Sequence, residues 1–311
     1  MKILSINNLE KRYGDFTAVD NITLEVNEGE IFGFLGPNGA GKSTTINIVS
    51  GLIKSSAGEV NIFNKPLKKF EKEIKKKIGV VPQTLAIYSE LSAEENIKFF
   101  ASIYGVKGEE LKKAVEYALE FTGLIEHRKT KAKNFSGGMM RRLNIACGIA
   151  HKPKLVIMDE PTVGIDPQSR NHILESVKEL NRNGCTIIYT SHYMEEVENI
   201  CDRIAIIDKG KIIAEGTKEE LISLISDIQS LEVQVGDISL INEKELKAIK
   251  GVKNITVKED IVTINSQREV TNLNLIIEFL TSKNINIKNI GYKEIDLETV
   301  FLNLTGRTLR D

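Results

Sequence analysis

The chain has 311 residues, 41% of them hydrophobic and 27% charged, a balance that suits a globular protein with room for two domains and excludes wholesale disorder. Its 42 basic and 43 acidic residues leave a formal net charge of -1, so bulk attraction to nucleic acid or to an anionic membrane is excluded as the main source of binding. Three cysteines, Cys147, Cys185 and Cys201, are odd in number and widely spaced, with no CxxC pair; buried, reduced thiols are expected rather than a disulfide framework or a zinc site.

From the start of the chain, Met1 to Ser5 soon run into polar Asn7, Asn8, Glu10 and Lys11, which argues against a signal peptide. No segment approaches the roughly 20 apolar residues that cross a bilayer. Short β-type runs are predicted at Leu4–Leu9, Ile22–Val26 and Ile31–Leu35, the last continuously apolar, as a strand buried on both faces should be. A glycine-rich turn and a helix over about Lys42–Gly51 follow. Lys65 to Lys77 is lysine-rich but interleaved with Glu71 and Glu73, the pattern of a solvated helix face. Ser92 to Leu124 reads as helices, with Ile97, Phe100, Ile103 and Tyr104 at helical spacing. Strands are predicted again at Leu155–Met158, Thr186–Tyr189 and Arg203–Ile207, and Asp208-Lys209-Gly210-Lys211 turns into Ile212–Ala214 as a hairpin.

A main domain is expected over residues 1–225 and an accessory domain over 226–311. The latter reads strand (Leu231–Val235), helix (Glu243–Ile249), strand (Val252–Val257), strand (Ile261–Ile264), helix (Asn272–Thr281) and strand (Ile285–Ile290). This βαββαβ order is ferredoxin-like, and a helix at Leu297–Leu304 follows it.

Gly36-Pro37-Asn38-Gly39-Ala40-Gly41-Lys42-Ser43 fits the phosphate-loop pattern GxxxxGK[ST] between a predicted strand and a predicted helix. The glycines let backbone N–H groups turn toward phosphate oxygens, and the helix N-terminus favours an anion. Lys42 is placed to neutralise the β- and γ-phosphates, Ser43 to ligate Mg²⁺, and Thr44 to reach the α-phosphate. A GTPase would want an NKxD-type guanine reader; the nearest match, Asn64-Lys65-Pro66-Leu67, lacks the Asp.

Leu155 to Met158 ends in Asp159-Glu160, the Walker B pattern of an apolar strand followed by two acids. Ligands of open α/β sheets sit at the carboxyl ends of strands, where the phosphate loop also lies. Asp159 suits the Mg²⁺ shell, and Glu160 suits polarisation of the attacking water. The strand Thr186–Tyr189 runs into Thr190-Ser191-His192. At a strand end, His192 is a candidate γ-phosphate sensor, whereas His127, His151 and His172 lack such a setting.

With these motifs in this order, the chain resembles ABC transporter ATP-binding subunits. Phe135-Ser136-Gly137-Gly138-Met139, ahead of an apparent helix over Met140–Ala150, is similar to the family's LSGGQ signature, with Phe135 for Leu and Met139 for Gln. The fold implied is α/β: a P-loop NTPase of the ABC type, with a mixed-sheet core and a helical subdomain near 84–135, plus a C-terminal α+β ferredoxin-like accessory domain. The resemblance implies that Tyr13 stacks on adenine, and that Gln83, in Val-Pro-Gln at 81–83, meets Mg²⁺ or the lytic water. It implies that Asp166, in Gly164-Ile165-Asp166, touches an opposite subunit. It also implies that Asn38, Gly39, Gly41, Lys42, Ser43 and Thr44 grip ATP in one protomer while Ser136, Gly137 and Gly138 of a second ATPase subunit cover it.

The implied partners are therefore that second subunit, in a homodimer, and an integral-membrane permease to which the helical subdomain passes motion. The implied location is the cytoplasmic side of the membrane, and no nucleic acid is expected. The run Asp296 to Arg307 is similar to the tail of exporter ATPases of the drug- and sodium-extrusion (ABC-2) group. The alternatives left standing are a soluble ABC ATPase with a non-transport role and a binding module that has lost hydrolysis; Lys42, Glu160 and His192 argue against the latter. The accessory domain is open to a regulatory, dimer-extending or stabilising role.

Overall fold

The computed structural model describes residues 1–191, 193–225 and 227–306; His192 and Arg307, both singled out by the sequence, lie outside the described residues. The chain forms two compact units, Met1–Glu215 and Gly216–Asp311. In the first, the elements run β1 (Lys2–Tyr13), β2 (Phe16–Asn27), β3 (Ile31–Leu35), α1 (Lys42–Val49), β4 (Ala57–Ile62), β5 (Lys65–Pro66), α2 (Leu67–Lys75) and β6 (Ile78–Val81). There follow α3 (Ala93–Ile103), α4 (Gly108–Phe121), α5 (Gly137–Ile149), β7 (Leu155–Asp159), α6 (Pro167–Arg182), β8 (Thr186–Thr190), α7 (Met194–Ile200), β9 (Arg203–Asp208) and β10 (Lys211–Gly216), the last reaching the boundary. The second unit carries α8 (Lys218–Ser223), β11 (Ile228–Val235), α9 (Glu243–Lys247), β12 (Val252–Lys258), β13 (Ile261–Gln267), α10 (Leu273–Ser282), β14 (Ile287–Lys293) and α11 (Leu297–Thr305).

The early strands divide between two sheets. β1 and β2 form an antiparallel hairpin that continues through β4 to β5, in the order β2-β1-β4-β5. β3 leaves them for a sheet ordered β10-β9-β3-β8-β7-β6, in which β9, β3, β8, β7 and β6 pair in parallel. Every residue of β3 and β8 is buried, as strands covered on both faces require, and this is why they read as unbroken apolar runs. Phe32, Phe34, Ile157 and Ile188 of this sheet share one core with Ile46 and Val49 of α1 and with Leu4, Ile6 and Leu24 of the antiparallel sheet. α1 is thus held by apolar packing between the two sheets, with its N-terminus at the carboxyl end of β3.

The helices α3, α4 and α5 build a separate core around Ile97, Ala101, Val115, Leu119, Leu124, Phe135 and Leu143. A reciprocal capping box between Ser92 and Glu95 starts α3. Phe135, one of the two departures from the signature pattern, is a buried member of this core, so its exchange for Leu is one apolar filling for another. The lysine-rich stretch is the solvated face expected of it: Lys65 and Lys77 pair with Glu73, and Lys75 with Glu71, on and beside α2. Cys147 and Cys185 are buried and Cys201 half-buried, all three as free thiols.

In the second unit the antiparallel order is β12-β13-β11-β14, with the first and third strands in the middle, which is the ferredoxin-like arrangement. Leu231, Val233, Val262 and Ile264 cover Leu246 of α9 and Ile276 and Leu280 of α10. The last strand begins at Ile287 rather than at the expected Ile285, whose side chain is buried in the core before the strand starts. α8 packs on α11, which places it with the accessory unit, so that the break falls about ten residues ahead of position 225.

Candidate active site

The phosphate loop joins β3 to α1, and its glycines are demanded by space as well as by rotation. Gly41 takes φ +107° as the cap of α1, and a methyl group there would lie 2.5 Å from the Ala18 carbonyl oxygen. At Gly36 a methyl group would sit 2.4 Å from the Ile207 carbonyl oxygen on β9. The loop is therefore pressed against the backbone of β2 and β9, and only glycine allows that approach. Lys42, 6% exposed, donates from Nζ to the carbonyl oxygens of Gly36 and, at 3.1 Å, Pro37. Burial pulls its ammonium below the ordinary lysine value, and the Glu160 and Asp159 carboxylates nearby oppose that pull. Asn38, Gly39 and Ser43 are exposed and Thr44 half-buried, so the outer wall of the loop is open to a ligand.

The acidic pair stands at the end of β7, one strand beyond β8 from β3. Thr190, the last residue of β8, clamps both acids: its Oγ1 donates to Asp159 Oδ1 at 2.7 Å and accepts from the Glu160 N–H at 2.9 Å. Glu160 takes φ +48°, a left-handed conformation uncommon for a residue with a side chain. Such strain persists only where the surroundings impose it, and it clusters at functional sites. Its carboxylate, 6% exposed, accepts from Gln83 Nε2 at 2.6 Å through Oε2. Gln83 follows β6, and α5 holds that backbone in place. Arg141 donates to the carbonyl oxygens of Gln83 at 2.7 Å and Pro82 at 3.2 Å, while Asn144 donates to Pro82 at 3.2 Å and accepts from the Ala86 N–H at 3.1 Å.

The structure thus brings Lys42, Asp159, Glu160 and Gln83 into one cluster. The signature residues and Asp166 form a different surface. Ser136 caps α5, its Oγ accepting from the Met139 N–H at 3.3 Å, and Gly137 lies exposed in the first turn. A methyl group on Gly138 would lie 2.5 Å from Ser169 Oγ, so the start of α5 packs tightly on the start of α6. Asp166 caps α6, accepting from the Ser169 N–H at 2.9 Å, and those hydrogen bonds hold its carboxyl below the usual range. Tyr13 stands at the turn of the β1–β2 hairpin, 51% exposed, with Lys11 Nζ 4.9 Å from its ring centre.

Thr190, Arg141 and Asn144 escaped the sequence reading. Thr190 ended an apolar strand and looked like its polar boundary; Arg141 and Asn144 sat in a helix with no sign of which face was buried. The available signal was their distance along the chain from recognised motifs: Arg141 and Asn144 fall five and eight residues past Ser136, and Thr190 two residues ahead of His192.

Comparison with known proteins places these features in a wider set. A family model described as "ABC transporter" matches residues 19–163. The linearmycin resistance ATP-binding protein of Bacillus subtilis (strain 168) is 48% identical over 317 residues, covering 99% of this chain and 100% of that protein. The Nod factor export ATP-binding protein I of Cupriavidus metallidurans is 35% identical over 309 residues, with 99% of each chain covered. Among solved structures, a dimeric ATP-binding cassette in a post-hydrolysis state bound to ADP and Pi superposes with a TM-score of 0.63 at 29% identity, covering 69% of this chain and 98% of that one.

Proposed function

This chain belongs to the ABC transporter ATP-binding family, and from that premise we propose that it hydrolyses ATP as one half of a nucleotide-sandwiched homodimer that drives export through a separate permease. The observation that carries the reading is the convergence of Lys42, Asp159, Glu160 and Gln83 at the carboxyl ends of β3 and β7. An incoming triphosphate replaces the loop carbonyls around Lys42 Nζ, and the N–H groups at the start of α1 face its oxygens. Tyr13 offers its exposed ring to the adenine. Ser43, Asp159 and Gln83 are the ligands assigned to Mg²⁺. A hydroxyl, a carboxylate and an amide oxygen are the hard oxygen donors this ion prefers, and a site completed by phosphate oxygens needs no cage of protein carboxylates. Bound there, the ion would neutralise negative charge on the triphosphate. Glu160, held by Gln83 and by the Thr190 clamp, takes the proton from the attacking water at its carboxylate, and His192 attends the γ-phosphate.

Ser136, Gly137 and Gly138 supply the remaining donors from the second protomer, where Asp166 also makes its contact. The support is that Ser136 and Gly137 at the start of α5 and Asp166 at the start of α6 lie exposed, on helix starts packed side by side. ATP then favours the closed pair because only that state completes its contacts, and hydrolysis releases it. Among the described residues no helix is long and apolar enough to cross a membrane; we assign the translocation path to a separate permease, with this subunit at its cytoplasmic face. Export as the direction rests on the names of the two relatives and on the run from Asp296. Glu160→Gln is the test: it keeps an oxygen that accepts from Gln83 but loses the base. ATP affinity is expected to stay within about twofold while turnover falls about 10²–10⁴-fold, as loss of a general base does. Turnover at the parental rate in that variant removes Glu160 from the mechanism.

A further inference from the structure

A second buried carboxylate lies behind the acidic pair, on α7. Glu196 is 3% exposed, and its Oε2 accepts from three hydroxyls that are themselves buried: Thr162 at 2.8 Å, Tyr189 at 2.9 Å and Ser191 at 2.7 Å. Its Oε1 faces Arg170 Nε on α6 at 3.4 Å, and the Arg170 guanidinium lies 4.0 Å from the centre of the Tyr193 ring. The Tyr193 N–H donates to Ser191 Oγ at 2.9 Å. These partners have a pattern along the chain. Thr162 lies two residues past Glu160, and Arg170 four residues past Asp166, so the chain that follows Glu160 meets the carboxylate at both of these points. Ser191 and Tyr193 flank His192; Ser191 meets the carboxylate directly, and Tyr193 is joined to it through Ser191 Oγ and Arg170.

We propose that Glu196 is a positioning residue for ATP hydrolysis, its carboxylate holding the segment that follows Glu160 in register with the segment that carries His192. The inference rests on the roles given above to Glu160 and His192. An ion buried at this depth costs more than a well-packed apolar group of the same size, so stability alone does not call for it. A carboxylate is acceptor-only, and this one accepts three hydroxyls while facing a guanidinium, a combination no neutral side chain of that shape provides. Burial, with the Glu196 charge second, pushes the Tyr189 phenol well above its usual value, so its hydroxyl stays a donor to this hub. The geometry makes the two segments one mechanical body: displacement of Thr162 is felt at Ser191 through a single shared acceptor.

The test compares the full chain with Glu196→Gln, Thr162→Val, Ser191→Ala and Glu160→Gln, reading ATP affinity by titration and kcat and KM by phosphate release. Glu196→Gln keeps the shape but brings an amide N–H₂ donor into a hub built to accept. It is expected to lower kcat by about tenfold or more with KM and affinity within about twofold, a split that a merely structural role does not produce. Thr162→Val and Ser191→Ala, which spare the carboxylate and Arg170, should lower kcat in the same sense, and Thr162→Val combined with Glu196→Gln should lose no more than Glu196→Gln alone. Parental kcat in Glu196→Gln, or loss of affinity with kcat unchanged, overturns the proposal. If Glu196→Gln fails to fold, parental kcat in both hydroxyl variants overturns it instead. Glu160→Gln keeps the two questions apart: if it is inactive while the hub variants are fully active, only this inference fails, whereas if it turns over normally, the hydrolytic reading itself fails.

Discussion

Thr190→Val replaces a fully buried hydroxyl with a methyl group of nearly the same shape and so isolates the clamp on the acidic pair. In the parent, Thr190 Oγ1 donates to Asp159 Oδ1 at 2.7 Å and accepts the Glu160 N–H at 2.9 Å. The variant loses a hydrogen bond to a charged group, worth about 1.5–3 kcal/mol. The Glu160 N–H is not orphaned, because the Thr190 carbonyl oxygen remains at 3.2 Å, so the further penalty for an unmet donor is small. A destabilisation of about 2 kcal/mol follows, read as a shift of the urea midpoint at constant slope. The catalytic effect should be separable. With Asp159 and Glu160 each held by one contact fewer, the latter in a left-handed conformation, kcat should fall about tenfold, while ATP affinity, set by the phosphate loop, stays within about twofold. A Thr190→Val protein with parental kcat and parental urea midpoint would show that the clamp from β8 neither stabilises the fold nor positions the acidic pair.

Gly36→Ala places a methyl group 2.4 Å from the Ile207 carbonyl oxygen; the backbone of β9 cannot yield, so the loop must, and ATP affinity in a calorimetric titration should weaken about tenfold or more. His151 offers a pH test away from the site. It stacks on Tyr104 at 3.6 Å, its Nε2–H donates to the Ile78 carbonyl oxygen at 3.1 Å, and burial pulls its pKa down to about 4. Its neutral form is favoured in the fold, so the unfolded chain takes up the proton first. The resulting stability is present above the ordinary value of about 6.5 and is lost as pH falls from there toward about 4, by up to about 3 kcal/mol. Urea midpoints across that range should fall less steeply in His151→Phe, and equal slopes in the two proteins would rule the histidine out as a source of acid sensitivity.

What the sequence disclosed and what it withheld divide on physical grounds. The phosphate loop, the acidic pair and the buried strands β3, β7 and β8 were legible because each is a local pattern: glycines at fixed spacing, or apolar runs that only a doubly covered strand carries. The ferredoxin-like order of the accessory unit was legible for the same reason, with β11 and β13 each alternating or apolar over seven or eight residues. Sheet membership was not, since β1 and β4 pair residues as far apart as Leu4 and Ile62 and nothing local separates them from β3. β6, four residues long, was too short to stand out beside its glycine. Glu196 lies in the acidic stretch Glu195-Glu196-Val197-Glu198, where no local feature distinguishes the one carboxylate that α6 and β8 bury. The polar groups that position the site are set by tertiary contact, and tertiary contact leaves little trace in a single sequence.

In the proposed dimer the loop of one protomer and the Ser-Gly-Gly start of α5 in its mate enclose the same nucleotide. A cysteine pair tests it directly, because Asn38 and Ser136 are both exposed. A chain carrying Asn38→Cys and Glu160→Gln is mixed with one carrying Ser136→Cys and Glu160→Gln, with and without ATP and Mg²⁺, under mild oxidation, and the disulfide-linked dimer is quantified. A linked dimer is expected to form with ATP and to disappear when nucleotide is withheld. Linkage that is equally frequent without ATP, or absent with it although both chains bind ATP, would contradict the claim.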